Sequence, residues 1–377
     1  MSDLPQGFST RAVHGGAHAE PAGDVTQPIH LSSTFARGVD GELQGPWLYA
    51  RLGNPNREAV ERTLVALESG ATEALAFASG LAATAAVTSC IAAGERVIAE
   101  SGAYYGTLRQ LDALRERGVV VERVDLTDPN AAASALARPC RLVWCESPTN
   151  PMLRVADIRR LAEQAHTAGA SFLVDNTVAT PLLQSPLLFG ADLVLHAATK
   201  ALGGHSDLTL GVLVAGARGE AALAAARKQR DLTGAVPSPF DCWLLARGMA
   251  TAALRIRAQE ENARCVAEAL QGHAKIETVR WPGLATHEES AVVATQMRGG
   301  GSLVSLRLRG GEDSAVQLMA RLRLFTRATS FGGVHSLAEH RARVEGPEST
   351  TPRDLIRLAL GIEDTKDLLA DLRQALA

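Results

Sequence analysis

The chain has 377 residues, more than one typical hydrophobic core accommodates, so we expect two domains or one large domain with an appendage. Hydrophobic residues make up 46% and charged residues 21% of the chain, which is ordinary for a soluble globular protein. The formal net charge of −3 gives no reason to expect nucleic acid or an anionic membrane as a partner, and no apolar run reaches the roughly 20 residues that span a bilayer.

Cysteine usage and the first residues of the chain favour the cytoplasm. The five cysteines are odd in number and no two have CxxC spacing, which argues against a disulfide framework or a zinc site. The N-terminal stretch is polar and interrupted by Pro and Gly, unlike a secretory signal peptide. His14 and His18 have a spacing that metals use on a helix, but they lie in a Gly-rich stretch. We therefore expect a cytoplasmic protein without a metal.

The chain begins with a segment that lacks periodicity and then alternates between two patterns. Residues 1–53 are rich in Gly, Pro, Ser and Thr, which predicts an extended N-terminal arm. Helical periodicity from Asn56 to Ser69 ends at Gly70, and helical stretches then alternate with the apolar runs EALAF, RVIAE, VVVERV, RLVWC, SFLVD, DLVLH and GVLVA. This alternation predicts an α/β domain over 54–240, with a mostly parallel sheet covered by helices on both faces.

The pattern changes after the sequence PSP that ends at Pro239. A long helical stretch over roughly 240–271 is followed by the strand-like runs SLVSLRL and LIRLALGI and by helical stretches near 313–323 and 364–376. This mixture predicts a smaller C-terminal α+β domain over 241–377.

Chemically functional residues follow several of the predicted strands. In an open parallel sheet, ligands gather at the carboxyl ends of the strands, so these residues are expected to lie at one edge. They are Ser79 and Gly80 after EALAF, Glu146 and Asn150 after RLVWC, Asp175 at the end of SFLVD, and Lys200 after DLVLH.

These are the groups that a pyridoxal-5′-phosphate (PLP) site needs. Lys200 could bind the cofactor's aldehyde covalently, and Asp175 could keep the pyridine nitrogen protonated so that the ring withdraws electrons. The amides of Ser79, Gly80 and Leu81 could bind the phosphate at a helix N-terminus. Each signal is weak alone, because a lysine after a strand is usually a surface residue and an Asp there usually caps a turn. Their convergence on one sheet edge favours the PLP site. The chain lacks the GxxxxGK[ST] motif, which excludes a P-loop as the phosphate-binding element.

Ordered motifs along nearly the whole chain point to a family. They are QPIHLSSTF, YARLGNP, ASGLAA, AYYGTLR, ESPTNP, VDNT, HAATKALGGHSD, LTGAVPSP, TSFGGVHSL and LIRLALGIED. With these motifs in this order, the chain resembles the Cys/Met metabolism family of fold-type I PLP enzymes, which includes cystathionine γ-synthase, cystathionine γ-lyase and methionine γ-lyase. The resemblance implies the fold-type I PLP-dependent transferase fold, PLP as the cofactor and an amino acid as the small-molecule substrate.

The resemblance also implies roles for residues that match the cofactor-binding motifs. Lys200 would carry PLP as a Schiff base and move protons between Cα, Cβ and the γ leaving group, while Asp175 would pair with the pyridinium. Tyr104 would stack on the ring and act in acid–base steps. The phosphate would be bound by Gly80, Leu81 and Thr199.

Further roles concern the substrate and a neighbouring subunit. Asn150 would lie near the ring hydroxyl and the substrate carboxylate, and Arg357, helped by Ser330, would clamp the α-carboxylate, a task that suits a guanidinium. Tyr49 and Arg51 would reach the phosphate of a neighbouring subunit's cofactor. The resemblance therefore implies a homotetramer, a dimer of dimers with active sites shared between subunits.

Several positions depart from the family's usual residues. Ala197 stands where a serine hydroxyl usually binds the phosphate. Leu48 and Thr329 replace acids that would face the distal ammonium of cystathionine, as in methionine γ-lyases. Gly106, however, stands where methionine γ-lyases have cysteine, and Arg109, which could meet a distal carboxylate, is retained. The stretch HRARVEG replaces the PASMTH motif, so the mouth of the site is altered.

The leading hypothesis from these departures is α,γ-elimination on methionine or a related thioether amino acid, which releases a thiol, 2-oxobutanoate and ammonia; activity on cystathionine is also possible. The main alternative is γ-replacement, in which a synthase joins a thiol to an activated homoserine. A third hypothesis, a scaffold without catalytic activity, is disfavoured because Lys200, Asp175, Tyr104 and Arg357 are all retained.

Overall fold

The computed structural model describes residues 7–16, 23–347 and 349–377, so that His18 and part of the predicted arm lie outside the described residues. A seven-stranded sheet forms the centre of the first part of the chain. Its strands in chain order are β1 (Glu73–Phe77), β2 (Arg96–Glu100), β3 (Val120–Val124), β4 (Leu142–Glu146), β5 (Ser171–Asp175), β6 (Leu193–Ala197) and β7 (Gly211–Ala215).

This sheet is mostly parallel, as the sequence predicts. The strands lie in the spatial order β1-β7-β6-β5-β4-β2-β3. β7 pairs antiparallel with β6 and β1, and the other neighbouring strands pair in parallel. Because side chains alternate between the two faces of a strand, Val143 and Cys145 pack in one core, and Leu142 and Trp144 pack in the other. Burial of both faces explains why these strands read as continuous apolar runs.

Helices cover both faces of this sheet and continue into the second part of the chain. They are α1 (Phe8–His14), α2 (Pro55–Leu67), α3 (Gly80–Thr88), α4 (Tyr105–Ala113), α5 (Pro129–Leu136), α6 (Ile158–Thr167), α7 (Thr180–Leu183), α8 (Glu220–Thr233), α9 (Pro239–Ala250), α10 (Ala252–Leu270), α11 (Ser290–Gln296), α12 (Gly311–Arg321), α13 (Arg341–Glu345) and α14 (Thr365–Leu376). Among the described residues, no helix combines the length and the apolar character needed to cross a membrane.

The sequence predicts one helix over 240–271, whereas the structure has α9 and α10, which meet at Thr251. The carbonyl of Gly248 accepts hydrogen bonds from the Thr251 amide at 3.2 Å and from the Arg255 guanidinium at 2.6 Å. These bonds replace the regular pattern of an α-helix at this carbonyl, and Thr251 leaves the helical conformation with φ −108° and ψ 4°. The break thus coincides with a contact of Arg255 that helical periodicity does not reveal.

A five-stranded sheet forms the second part of the chain, in the spatial order β10-β11-β12-β9-β8. Its strands are β8 (Ile276–Arg280), β9 (Leu303–Leu308), β10 (Thr326–Arg327), β11 (Leu337–Glu339) and β12 (Leu355–Ala359). Ala263 in α10 packs in the core of this sheet, whereas Cys242 and Met249 in α9 pack in a core of the first sheet. We therefore propose that the boundary of the smaller domain lies within α10 rather than near residue 240.

The N-terminal arm contains a helix that its composition does not predict. This helix, α1, buries Ala12 against a core of the large sheet. Beyond it, residues 23–53 form only isolated β-bridges, such as the one between Thr34 and Tyr49. The side chains of Val25 and Val39 are fully exposed in the single chain. Exposed apolar side chains of this kind favour contact with another surface.

Candidate active site

A cavity of about 290 Å³ lies at the carboxyl-end edge of the seven-stranded sheet, a volume near the lower end of the range for small-molecule pockets. The residues selected from the sequence that line it are Ser79, Gly80, Leu81, Tyr104, Asn150, Asp175, Thr199, Lys200, Thr329, Ser330 and Arg357. Four other selected residues lie outside its lining, namely Leu48, Tyr49, Arg51 and Arg109. The fold thus brings together the strand-end residues and residues that lie more than 100 positions later in the chain.

One end of the cavity is formed by the N-terminus of α3. The Ser79 hydroxyl caps this helix by accepting a hydrogen bond from the Ala82 amide at 3.0 Å. The amides of Gly80 and Leu81 belong to the first turn, which has no partners within the helix, so they are free to bind an anion. A Cβ atom at Gly211 would lie only 2.3 Å from the Ser79 carbonyl, so glycine in β7 permits this close approach.

Two neighbouring residues affect the same end of the cavity. The Thr199 hydroxyl lines the cavity but exchanges hydrogen bonds with the backbone of Leu210, at 3.0 and 3.2 Å. The methyl group of Ala197 lies 3.2 Å from where a Cβ atom at Gly80 would stand. A serine at position 197 would therefore place a hydroxyl beside the helix N-terminus, and this chain lacks that donor.

Lys200 lines the cavity. Its Nζ donates a hydrogen bond to Ser330 Oγ at 3.0 Å and lies 5.3 Å from the centre of the Phe331 ring. Burial lowers the pKa of Lys200, and the nearby Arg357 guanidinium lowers it further. A lysine with a lowered pKa is more often neutral, which suits a nucleophile or a proton acceptor.

Asp175 ends β5 and is buried at the base of the cavity. Thr177 donates to Asp175 Oδ1 twice, from its amide at 3.1 Å and from its hydroxyl at 2.5 Å. Burial raises the pKa of Asp175, whereas these two hydrogen bonds lower it. A buried carboxylate held in this way is suited to a cationic nitrogen of a ligand, because the opposite charge would favour its ionised form.

Glu146 is a cavity residue to which sequence reasoning gave no role. It ends β4, and its Oε2 accepts a hydrogen bond from the Tyr104 amide at 2.6 Å. Burial raises the pKa of Glu146 well above its usual value, and the charge of Asp175 raises it further. The sequence placed Glu146 at this sheet edge, after RLVWC, but assigned it no task.

Tyr104 directly precedes α4, and its ring packs over Gly106. A Cβ atom at Gly106 would lie 2.6 Å from Tyr104 Cε1, so any side chain there would displace the ring. The ring also contacts Tyr105 edge to face, with centres 4.7 Å apart. Burial raises the pKa of Tyr104 to about 12, and the contact with Tyr105 contributes to this shift.

Arg357 in β12 also lines the cavity, and its guanidinium is of the kind that suits a carboxylate. Its side chain is buried, with hydrogen bonds to Asn150 Oδ1 at 3.1 Å and to the Ser330 carbonyl at 2.6 Å, and an ion pair with Glu339. Its Nε is buried without a partner among the described residues. Ser330 holds the left-handed φ of 86°, which a residue other than glycine rarely adopts outside a constrained site.

The residues outside the cavity lining have other contacts. An Arg51 guanidinium nitrogen donates to the Asp231 carbonyl at 2.9 Å, and Tyr49 is 44% exposed. Arg109 is exposed and lies over the Tyr105 ring, 5.8 Å from its centre. Arg341, which the sequence reasoning did not select, lines the cavity instead.

These residues fit the cofactor that the sequence predicts. The N-terminus of α3 would hold the phosphate, Asp175 the pyridine nitrogen, and Lys200 the reactive carbonyl carbon. The unpartnered Arg357 Nε leaves a donor for a substrate carboxylate. Within the described ranges, no group of three or more His, Cys, Asp or Glu side chains is placed to hold a metal ion.

Comparisons with known proteins give the same result. The family model for Cys/Met metabolism PLP-dependent enzymes matches residues 9–377. The cystathionine gamma-synthase of Mycobacterium tuberculosis is 46% identical, over 98% of this chain and 97% of that protein.

Two solved structures are also similar. A cystathionine gamma-synthase from Xanthomonas oryzae has a TM-score of 0.94 and 39% identity, over 99% of this chain and 98% of that one. A methionine gamma-lyase from Micromonospora echinospora has a TM-score of 0.92 and 42% identity, over 98% of this chain and 99% of that one. The predicted fold and cofactor are thereby confirmed, and the chain belongs to the Cys/Met metabolism family of PLP-dependent enzymes.

Proposed function

We propose that this enzyme catalyses γ-replacement, in which a thiol replaces the acyloxy group on Cγ of an O-acylhomoserine, as in cystathionine synthesis from cysteine. The observation that carries the proposal is that Tyr105, Arg341 and Val344 line the same cavity as Arg357. In this proposal the second reactant lies beside these three residues while Arg357 holds the first. The name of the Mycobacterium tuberculosis relative, cystathionine gamma-synthase, supports the same reaction.

The residues at the mouth of the cavity also support synthesis over cleavage of cystathionine. Thr329 lines the cavity, and Leu48 lies in the arm, so neither position supplies an acid for a distal ammonium. A desolvated ammonium without a partner costs several kcal/mol. Cystathionine would therefore be bound weakly and released readily, which suits a product better than a substrate.

Each of the chain's own residues would have a distinct task in this reaction. Arg357 and Asn150 hold the α-carboxylate, and Tyr104 covers one side of the reacting atoms and excludes water. The Lys200 amine accepts the proton from Cα and then transfers protons at Cβ. When bound, PLP withdraws electrons from Cα, which makes its proton acidic enough to remove. In the exchange itself, the Cγ–O bond breaks, the acyl group leaves as a carboxylate, and the deprotonated thiol forms the Cγ–S bond.

A second candidate is α,γ-elimination on methionine, the leading hypothesis from the sequence. A neutral Thr329 in the cavity lining suits the uncharged methylthio group. The name of the Micromonospora echinospora structure, a methionine gamma-lyase, favours the same reaction. The two reactions use the same carboxylate clamp and the same base, so they differ only after the γ group has departed.

The decisive experiment compares substrates on the PLP-loaded enzyme. Separate reactions contain O-acetylhomoserine or O-succinylhomoserine with and without cysteine, methionine alone, and cystathionine alone; cystathionine, 2-oxobutanoate and released thiol are measured. We expect kcat/KM for cysteine-dependent cystathionine formation to exceed that for cleavage of methionine or cystathionine by at least about tenfold. Faster release of 2-oxobutanoate and thiol from methionine would refute the proposal and establish the second candidate.

We also propose that the active sites are shared between subunits of a homotetramer built from two dimers. Tyr49 and Arg51 lie outside the lining of their own chain's cavity, and the arm that carries them exposes apolar side chains. An arm of this kind can reach a neighbouring subunit, as the family resemblance implies.

Mixing of two defective variants tests this arrangement. Lys200→Ala removes the amine of one site, and Arg51→Ala removes the guanidinium that would serve the neighbouring site. If Arg51 acts across the interface, a mixed dimer has one intact site, and random mixing should recover about a quarter of the wild-type activity. Sedimentation of the wild-type enzyme should show a dimer or tetramer. An active monomer, or no recovery on mixing, would contradict shared sites.

A further inference from the structure

Arg341 is the first residue of α13 and lines the cavity. It lies in the HRARVEG stretch, where this chain departs from the usual motif of its family. The side chain is almost completely buried, with 3% exposure for the residue. Its guanidinium carbon lies 5.2 Å from the centre of the Tyr105 ring. A buried arginine beside a cavity needs partners for all of its donors.

Two acids accept hydrogen bonds from only two of the three nitrogens of this guanidinium. Nε donates to Glu345 Oε1 at 2.7 Å, and NH1 donates to Glu339 Oε1 at 3.2 Å. Glu345 is itself held in place by the hydroxyls of Ser349 and Thr351, at 2.5 and 2.9 Å. NH2 is buried and has no hydrogen-bond partner among the described residues. The guanidinium is therefore fixed in orientation, and one of its nitrogens makes no hydrogen bond to a described residue.

Glu339 connects this guanidinium to the carboxylate clamp. Its Oε1 meets Arg341, and its Oε2 meets Arg357. The two arginines thus flank a single carboxylate, and both line the same cavity. A substrate that carries a carboxylate at each end can contact Arg357 with one and Arg341 with the other. Arg109, to which the sequence gives this task, is exposed and lies outside the cavity lining.

We propose that Arg341 is a specificity-determining residue that binds a carboxylate at the distal end of the substrate's side chain. The inference rests on the proposed function in one respect: it implies that the preferred O-acylhomoserine has an acyl group ending in a carboxylate. A substrate with a neutral end leaves NH2 of Arg341 buried and unbonded, which costs binding free energy.

The test uses two amino acids of equal chain length that lack a γ leaving group. 2-Aminoadipate has a distal carboxylate and norleucine has a methyl group, and each is measured as a competitive inhibitor of the PLP-loaded enzyme. We expect 2-aminoadipate to bind more tightly than norleucine. In Arg341→Met the inhibition constant of 2-aminoadipate should rise about ten- to a hundredfold, while that of norleucine stays within about twofold.

Matched variants separate ligand binding from a structural role. Arg343→Met removes an exposed arginine of the same helix, which pairs with Glu312, and should leave the ratio of the two inhibition constants unchanged. Arg109→Met should leave it unchanged as well. Arg341→Gln keeps a donor but not the charge, so it repeats the test if the Met variant fails to fold. The inference would be overturned if the inhibition constant of 2-aminoadipate, divided by that of norleucine, stayed unchanged in the Arg341 variants. It would also be overturned if this ratio rose only in Arg109→Met.

The inhibition constants do not depend on which reaction is natural, because any substrate that is turned over can serve as the reporter. The inference can therefore survive if γ-replacement is disproved, and it can fail while γ-replacement stands.

Discussion

Replacement of Lys200 by Ala should lower turnover by at least about 10⁴-fold and remove the visible absorbance of the bound cofactor. No other lysine lines the cavity, so no other amine is placed to act as the proton acceptor among the described residues. The lowered pKa of Lys200, which burial and Arg357 cause, makes its amine suited to this task at neutral pH. Both readouts, the initial rate and the absorbance spectrum, are measured on protein purified in excess PLP.

Folding should survive this change. The Lys200 amine makes one hydrogen bond to a described residue, Ser330, and its removal eliminates a buried charge near Arg357. The thermal midpoint should therefore stay within a few degrees of that of the wild type measured without PLP. Lys228→Ala, which removes an exposed lysine of α8, serves as the control and should retain full activity. Normal turnover by Lys200→Ala would contradict the assignment of the whole site.

Asp175→Asn should lower kcat by about 10²- to 10³-fold, because loss of one partner of a buried charge pair costs about 3–5 kcal/mol. Asparagine has the same shape, and its Oδ1 can still accept both hydrogen bonds from Thr177. The variant thus removes the negative charge that would hold the ligand's nitrogen protonated while it preserves the local structure. The affinity for PLP should fall as well, which equilibrium dialysis measures independently of turnover.

The control for this change is Asp313→Asn, since Asp313 lies on α12 in the second part of the chain, away from the cavity lining. That variant should match the wild type in kcat and in PLP affinity. If Asp175→Asn turned over substrate at the wild-type rate, the carboxylate would have no electrostatic role, and the pairing with the pyridine nitrogen would have to be abandoned.

The large sheet was predictable because burial on both faces leaves a strong pattern in the sequence. Strands such as β4 and β5 are apolar at successive positions, and parallel strands end at the same edge. The residues that follow them, among them Asp175 and Lys200, could therefore be placed together without coordinates. The helix N-terminus in the cavity was predictable for a similar reason, since the helix after Ser79 starts soon after a strand ends.

Other features left no local pattern. The break between α9 and α10 lies where Arg255 donates hydrogen bonds to the Gly248 carbonyl and to the distant Ala201 carbonyl, within a stretch whose periodicity is helical throughout. α1 lies in a segment whose Gly and Ser content predicts an extended arm, yet packing of Ala12 against the large core stabilises it. In both cases tertiary contacts overrule the local preference of the chain.

The sequence by itself determined the α/β architecture, the cofactor and the residues at the strand ends, because each depends on local periodicity or on a contiguous motif. Only the tertiary structure decided which arginine, Arg341 or Arg109, lines the cavity. Arg109 is close in sequence to Tyr104, yet it lies on an exposed face of α4 outside the cavity lining. Arg341 is brought beside Tyr105 from a distant part of the chain, where Glu339 and Glu345 orient it. Glu339 and Glu345 are close to Arg341 in sequence, but Tyr105 becomes its neighbour only when distant segments of the chain pack together.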